Sequence, residues 1–316
     1  MKRANYLGYR LLTAVGVTFG VSVVTYALIF LTPGDPAAVI LRQQLDRQPS
    51  SEEIAAFRAE KGLDDPIPIQ YVDWLTDAAR GDLGTSYYSD ASVSSLILEA
   101  VPFTLELAVA SLVVALAIAV PTGVLSAVHR GTPIDYVSQV GALAGVSMPN
   151  FWLGYLLILV FGLVLGVTPI AGAGSYSHLI LPALTLGTGM AAVLTRLIRT
   201  SMLDVLEAEY VDAARSKGLR ERIVVYKHAL RNALVPVVTI LGLQLGTLLN
   251  GAVVVEIVFQ RPGIGTLLVD AVFDRNYPVV QGIALGTAVV FVVTNLIVDL
   301  LYHYLDPRVE LGGQTV

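Results

Sequence analysis

Six stretches of this chain run for about twenty residues or more with almost no charge, the length a helix needs to cross a hydrocarbon core of roughly 30 Å. They are Leu11–Thr32, Phe103–Val128, Tyr136–Val167, Leu179–Leu197, Leu234–Val258 and Val279–Leu301. In lipid each backbone N–H and C=O must find its partner within the protein, so such runs become helices. No region alternates in the roughly ten-residue blocks of a membrane barrel. Composition agrees: 55% of the 316 residues are hydrophobic and 14% charged, against roughly 25% charged in a soluble domain. That balance excludes disorder and an ordinary soluble enzyme. The sequence predicts an all-α membrane protein with six transmembrane helices. The third stretch carries Pro149 and Asn150, which can split it into a half-helix and a span.

The first stretch follows Lys2, Arg3 and Arg10, as a signal peptide would. Its apolar run is too long for a signal core, and no small-x-small cleavage site follows it. It reads as an uncleaved anchor, residues 1–32, with its N-terminus in the cytoplasm. The segments then placed inside hold 13 Lys and Arg, and those placed outside hold 7. The excess of basic residues inside follows the orientation rule for membrane proteins. Residues 33–102 form an extracytoplasmic segment with 12 acids against 5 bases, a net charge of −7. The repeats Ile54/Phe57/Lys61 and Tyr71/Trp74/Leu75 predict short helices there. Residues 306–316 are read as a cytoplasmic tail.

Most membrane chemistries lack their parts. The absence of cysteine removes disulfides, Cys-ligated zinc and thiol nucleophiles. His129, His178, His228 and His303 lie in loops or at span ends, with no nucleophile to serve. No two histidines share a helix face as a metal site needs. The acids in or near spans, Glu106, Glu256 and Asp299, sit close to helix ends, where interfacial capping accounts for them better than catalysis. There is no G-x-x-x-x-G-K-[ST] phosphate loop, and Lys2, Lys61, Lys217 and Lys227 have no such context. The central thirds of the spans hold no charge, which argues against ion-coupled carriage. Small-xxx-small pairs at Gly16/Gly20, Gly141/Gly145, Gly162/Gly166 and Gly242/Gly246 point to close helix packing. A net charge of −5 gives no sign of a nucleic-acid partner.

The loop between the fourth and fifth stretches, residues 203–233, is long and patterned. Leu203, Leu206, Tyr210 and Ala213/Ala214 fall on one helical face, with Asp204, Glu207, Asp212 and Arg215 mostly elsewhere. Gly218 follows where a left-handed C-cap belongs. Arg220, Arg222, Lys227 and Arg231 then lead through Pro236 into the fifth stretch. A shallow apolar face suits a groove on another protein. It suits equally an amphipathic helix lying on the inner leaflet.

At this loop the residues resemble a family. Asp212-Ala213-Ala214-x-x-x-Gly218 is similar to the Glu-Ala-Ala-x-x-x-Gly motif of ABC importer membrane subunits, with Asp in place of Glu. Other segments resemble the dipeptide/oligopeptide/nickel branch: Thr32-Pro33-Gly34-Asp35-Pro36, Gly62-Leu63-Asp64-Asp65-Pro66, Gln70-Tyr71 and Gly81-Asp82-Leu83-Gly84-Thr85-Ser86. So do His228 to Pro236, Val258-Phe259 with Pro262-Gly263-Ile264-Gly265, Tyr277 to Gly282 and Asp306-Pro307-Arg308. The likeness runs through essentially the whole chain and is greatest to the first of the two permeases in such systems.

The resemblance implies a type I importer permease fold, with residues 103–305 as the permease core. It favours docking over the leaflet for the loop. Leu206, Tyr210, Asp212, Ala213, Ala214, Arg215, Gly218 and Leu219 become the expected ATPase-coupling residues. It implies a second permease subunit forming a heterodimer, two ATP-binding subunits that hold the ATP, and an external substrate-binding protein. It implies no cofactor in this chain, no catalysis by it, and a plasma-membrane location with both termini cytoplasmic. The expected cargo is a peptide or a related small solute such as nickel. A stand-alone carrier or channel, and a membrane scaffold without transport, are the rival classes.

Overall fold

The computed structural model describes residues 3–31, 34–89 and 91–305. The turn residues Thr32 and Pro33, and the tail with Asp306-Pro307-Arg308, lie outside them. In chain order the helices are α1 (Arg3–Leu31), α2 (Pro36–Leu45), α3 (Ser51–Glu60), α4 (Ile67–Ala79), α5 (Val93–Val128), α6 (Pro133–Ser147) and α7 (Asn150–Leu157). There follow α8 (Ser177–Leu206), α9 (Glu209–Ser216), α10 (Glu221–Ile223), α11 (Leu230–Ala233), α12 (Val235–Val258), α13 (Ile264–Phe273) and α14 (Tyr277–Leu305). Wider π-helical turns, Ile158–Val164 and Val224–Ala229, extend α7 and join α10 to α11. The described residues contain no strand, only an isolated bridge between Thr85 and Ser92. The chain divides into two compact units, Met1–Pro102 with Ile264–Val316, and Phe103–Gly263.

In the first unit, α2 to α4 are the short helices expected in the segment 33–102. Asp35 caps α2, accepting from the Ala37 N–H at 3.1 Å, with Pro36 at the first helical position. Ser50 and Glu53 form a reciprocal capping box on α3. The Arg47 guanidinium, then the Ser50 backbone, hold the Glu53 carboxyl down at about 2. Ala37, Ile40 and Phe57 form a small core with Tyr87 and Tyr88 against it. Tyr71 and Trp74 of α4 pack on Tyr26 of α1, with ring centroids 5.1 and 6.1 Å away, and the Tyr71 hydroxyl meets that of Ser22 at 2.8 Å. These aromatics are used inside the unit. The expected helical pattern is therefore an internal packing pattern.

In the second unit, α5 and α8 are long and apolar enough to cross a membrane. The helix expected from Phe103 begins ten residues earlier, at Val93. α5 and α8 touch at two levels: a Cβ on Gly187 would lie 2.7 Å from the Ser111 carbonyl, and one on Gly123 would lie 2.8 Å from Ile198. Residue numbers rise together along the two helices, so they run parallel. The chain between them must then cross the core once. That chain is the third expected span, and it is broken: α6 and the helix Asn150–Val164 meet at 105°. Ser147 ends α6, Met148 and Pro149 are extended, and α7 starts at Asn150, because proline cannot donate the N–H that would continue the helix and biases the residue before it away from helix. The fourth stretch runs on to Leu206 in α8, through Pro182. The core gathers Leu107, Leu194, Ile198, Met202, Val255 and Phe259, all buried.

One acid departs from the interfacial reading. Glu256 is fully buried in α12 and accepts a hydrogen bond from Thr104 Oγ1 at 2.6 Å. The chain turns back over it at Gly263, where a Cβ would clash with its carboxyl group. Arg261, 2% exposed, reaches Glu106 at 3.4 Å and the His178 carbonyl at 3.4 Å. The Pro262-Gly263 turn thus covers a buried polar cluster. Gly263→Ala should destabilise the detergent-solubilised protein by about 1–3 kcal/mol through overpacking, read as a lower melting temperature. Asp299 lies within α14, and its side chain is not among those described.

Candidate functional site

The inner loop is two pieces where the periodicity predicts one helical face. α8 ends at Leu206, Ala208 takes an extended conformation (φ −79°, ψ 141°), and α9 starts at Glu209. That break resets the helical phase. Leu203 and Leu206 therefore do not share a face with Tyr210 and Ala213. The residues of α9 that turn inward are Val211, fully buried, and Ala214, which pack on Val224, Val205 and Leu206. Tyr210, Asp212, Ala213, Arg215, Gly218 and Leu219 are exposed. Of the two alanines expected on one face, Ala214 belongs to the loop's own core and Ala213 to its surface.

Three ties hold the loop in shape. The Val211/Ala214/Val224 cluster is the first. Arg215 is the second: its guanidinium spans Asp212 at 3.2 Å and Glu221 at 3.0 Å. Hydrogen bonding to Glu221 raises its pKa further. Being exposed, this pair contributes under about 1 kcal/mol and serves to orient α9 on the segment that follows. The third tie is Asn232, whose Nδ2 donates to the Tyr210 hydroxyl at 2.8 Å. Gly218 has φ +75° with no atom near its missing Cβ, so the left-handed backbone, not space, calls for glycine there. The apolar side of α9 is thus occupied by its own loop. What it presents outward is a short, prebuilt finger of mixed chemistry.

Above the finger lies a buried ion pair that the sequence pattern missed. Asp135, 1% exposed at the start of α6, receives a two-pronged contact from Arg199 of α8, at 2.7 and 2.9 Å. Ser126 Oγ of α5, the Gly131 N–H and Gln139 Nε2 also donate to it. One carboxylate so ties three helices together, less than two turns above the end of α8. The only signal in the sequence was a lone acid beside an apolar run, paired with an arginine far along the chain.

The described residues hold no group of three or more His, Cys, Asp and Glu suited to a metal ion. The geometry is that of a helical subunit with long apolar helices and a folded loop between α8 and α12, and comparison with known proteins places it in a family. Residues 119–311 match the model for binding-protein-dependent transport system inner membrane components, and residues 3–108 match the N-terminal model for such membrane components. The chain belongs to this family of transport permeases.

Among its relatives is the oligopeptide transport system permease protein AppB of Bacillus subtilis, 40% identical over 318 residues, covering 97% of this chain and 99% of that one. The glutathione transport system permease protein GsiC of Escherichia coli K12 is 43% identical over 306 residues, with the same coverage. The MetNI methionine ABC transporter, in an inward-facing conformation, shares the fold with a TM-score of 0.55 at 19% identity, over 67% of this chain and 96% of the other. An amino acid ABC transporter scores 0.53 at 14% identity. The chain is accordingly an ABC importer permease of the peptide branch, with an all-helical type I permease fold, and a membrane protein.

Proposed function

We propose that this chain is one half of a peptide translocation pathway, and that the finger around α9 carries the movement of separate ATPase subunits to it. On this reading six helices span the membrane, both termini are cytoplasmic, and a second permease, two ATPases and an external binding protein complete the importer. ATP is bound and hydrolysed by the partners. Differential affinity of ATP for the two states of the complex shifts the equilibrium between them. The segment 33–102 lies outside and either receives the binding protein or caps the spans.

The observation that carries the coupling role is the inward turn of Val211 and Ala214. A helix lying on the leaflet needs its apolar face free for lipid, and this face is already filled. The exposed Tyr210, Asp212, Ala213 and Leu219 are left for a protein partner. Tyr71 of α4, packed on α1, is a poor probe for the binding protein, whereas the exposed Asp82 remains a good one.

Ala213→Trp adds bulk on the surface and should leave the melting temperature unchanged. Each 1.4 kcal/mol of lost docking is about tenfold in affinity, so co-purification of ATPases or ATP-driven uptake in liposomes should fall at least tenfold. Gly218→Val, which forces a branched side chain into a left-handed backbone at a cost of about 1–2 kcal/mol, should lower assembly and uptake likewise, with a fall in melting temperature. Normal assembly with normal uptake in both variants would overturn the coupling role. Uptake by this chain alone, without ATPases or ATP, would instead support a stand-alone carrier.

A further inference from the structure

The break in the third span opens a space that neither the family match nor the coupling finger accounts for. Between Ser147 and Asn150 the backbone is not helical. Such backbone, within a span, is tolerated only where protein buries it or where it lines a water-filled cavity. A cavity of about 270 Å³ lies at this point, walled by α6, α7, α8 and α12. Its polar groups are Asn150, Gln244 and Thr247, its apolar walls include Met148 and Met190, and no ionisable residue lines it.

Asn150 is held by shape. A Cβ on Gly189 would lie 3.6 Å from its Oδ1, and one on Gly251 would lie 3.1 Å from its Nδ2. The two glycines let α8 and α12 close around the carboxamide. Gln244 Oε1 accepts from Thr247 Oγ1 at 2.7 Å, which fixes the second carboxamide and leaves its nitrogen as the donor. A carboxamide offers both a donor and an acceptor in one plane, the same pair that a peptide bond offers in return. Methionine walls are flexible and polarisable and accept varied shapes. An uncharged lining gives no preference for acidic or basic side chains.

We propose that this cavity is a wet station on the translocation pathway that reads the main-chain amides of short peptides and tolerates their side chains. The proposal rests on the importer reading above and names the chemistry by which this subunit meets its cargo. Asn150 and Gln244 hydrogen-bond the peptide's C=O and N–H groups, and Met148 and Met190 move to fit what it carries.

The chain has no cysteine, so an introduced cysteine is the single one in this subunit, and its labelling is read on this subunit after separation from the others. Val146→Cys and, separately, Val193→Cys, both lining the cavity, are placed in the full complex in liposomes and treated with a charged, water-soluble methanethiosulfonate reagent. Val113→Cys, on an exposed apolar position of α5, is the control. Only a thiolate reacts, and a thiolate needs water or positive charge beside it, so the cavity cysteines should be modified at least about tenfold faster than the control. A mixture of tri-alanine and glutathione should slow that modification, and free alanine, which has no peptide bond, should not. Modification of both cysteines at the control rate would mean a dry, lipid-filled cleft and would overturn the proposal. Fast modification indifferent to the peptides would overturn it too. ATP-driven uptake of the same labelled peptides by the complex carrying the unsubstituted chain separates the two failures. Uptake without protection leaves the importer reading standing and removes the station, whereas absent uptake removes the importer reading itself.

Discussion

Arg199→Ala should cost about 3–5 kcal/mol of stability, because it strands a buried carboxylate without its counter-charge. Asp135 would keep hydrogen bonds from Ser126, Gly131 and Gln139, but neutral donors do not replace a guanidinium. Arg199→Lys should recover part of the loss, since an ammonium restores the charge and not the two-pronged geometry. Asp135→Asn combined with Arg199→Met removes both charges and should recover most of it. The measurement is thermal unfolding in detergent, with the four forms compared at one salt concentration. Equal melting of Arg199→Ala and the parent would show that water reaches Asp135 and that the knot holds nothing. The position of the pair also bears on transport. Arg199 lies on the helix that runs down to the finger, so weakening the knot should loosen the finger from α5 and α6. Arg199→Lys, folded yet loosened, should then hydrolyse ATP in the complex with less uptake per ATP.

What the sequence made legible was whatever depends on local pattern. Apolar runs located the long helices α5 and α8, and Pro149 located the bend between α6 and α7. Gly218 located the end of the finger, where its φ of +75° now gives the reason. What it hid depends on partners far along the chain. The face drawn through Leu206, Tyr210 and Ala213 assumed one uninterrupted helix, and a single extended residue at Ala208 was enough to rotate it. Val211, the anchor of the finger, was passed over for that reason. Asp135 and Arg199 stand 64 positions apart, and nothing local announces their meeting. Glu256 read as a capping acid because its span position was near an end, whereas the Gly263 turn closes over it.

The glycines show the same limit. Spacing singled out Gly16/Gly20 and Gly141/Gly145, yet no atom lies within 4 Å of a Cβ built on Gly16, Gly20 or Gly141. Gly145, 3.0 Å from Ala192, is the one of those four at a close helix contact. Tight contacts between α5 and α8 belong to Gly187 and Gly123, whose spacing partners are alanines, Ala183/Ala191 and Ala119/Ala127, and not a second glycine. A spacing rule describes one helix, and contact requires two.

Gly187→Leu should therefore be among the most damaging single changes in the core. The Cβ alone would lie 2.7 Å from the Ser111 carbonyl oxygen and 2.9 Å from Val114, and a backbone oxygen cannot rotate away as a side chain can. α5 and α8 would have to separate along the contact that small residues permit. Gly187→Ala should cost about 1–3 kcal/mol by overpacking, and leucine more, with loss of folded protein on size exclusion. Gly141→Ala is the opposing case. It adds a methyl group in open space within a helix and should stabilise the isolated subunit by about 0.5–1 kcal/mol through the backbone freedom removed from the unfolded chain. A rise for Gly141→Ala with a fall for Gly187→Ala would show that packing across α5 and α8, not glycine content, sets the stability. Equal small effects at both positions would mean that the two helices are held apart in the working protein and that their contact does not support the fold.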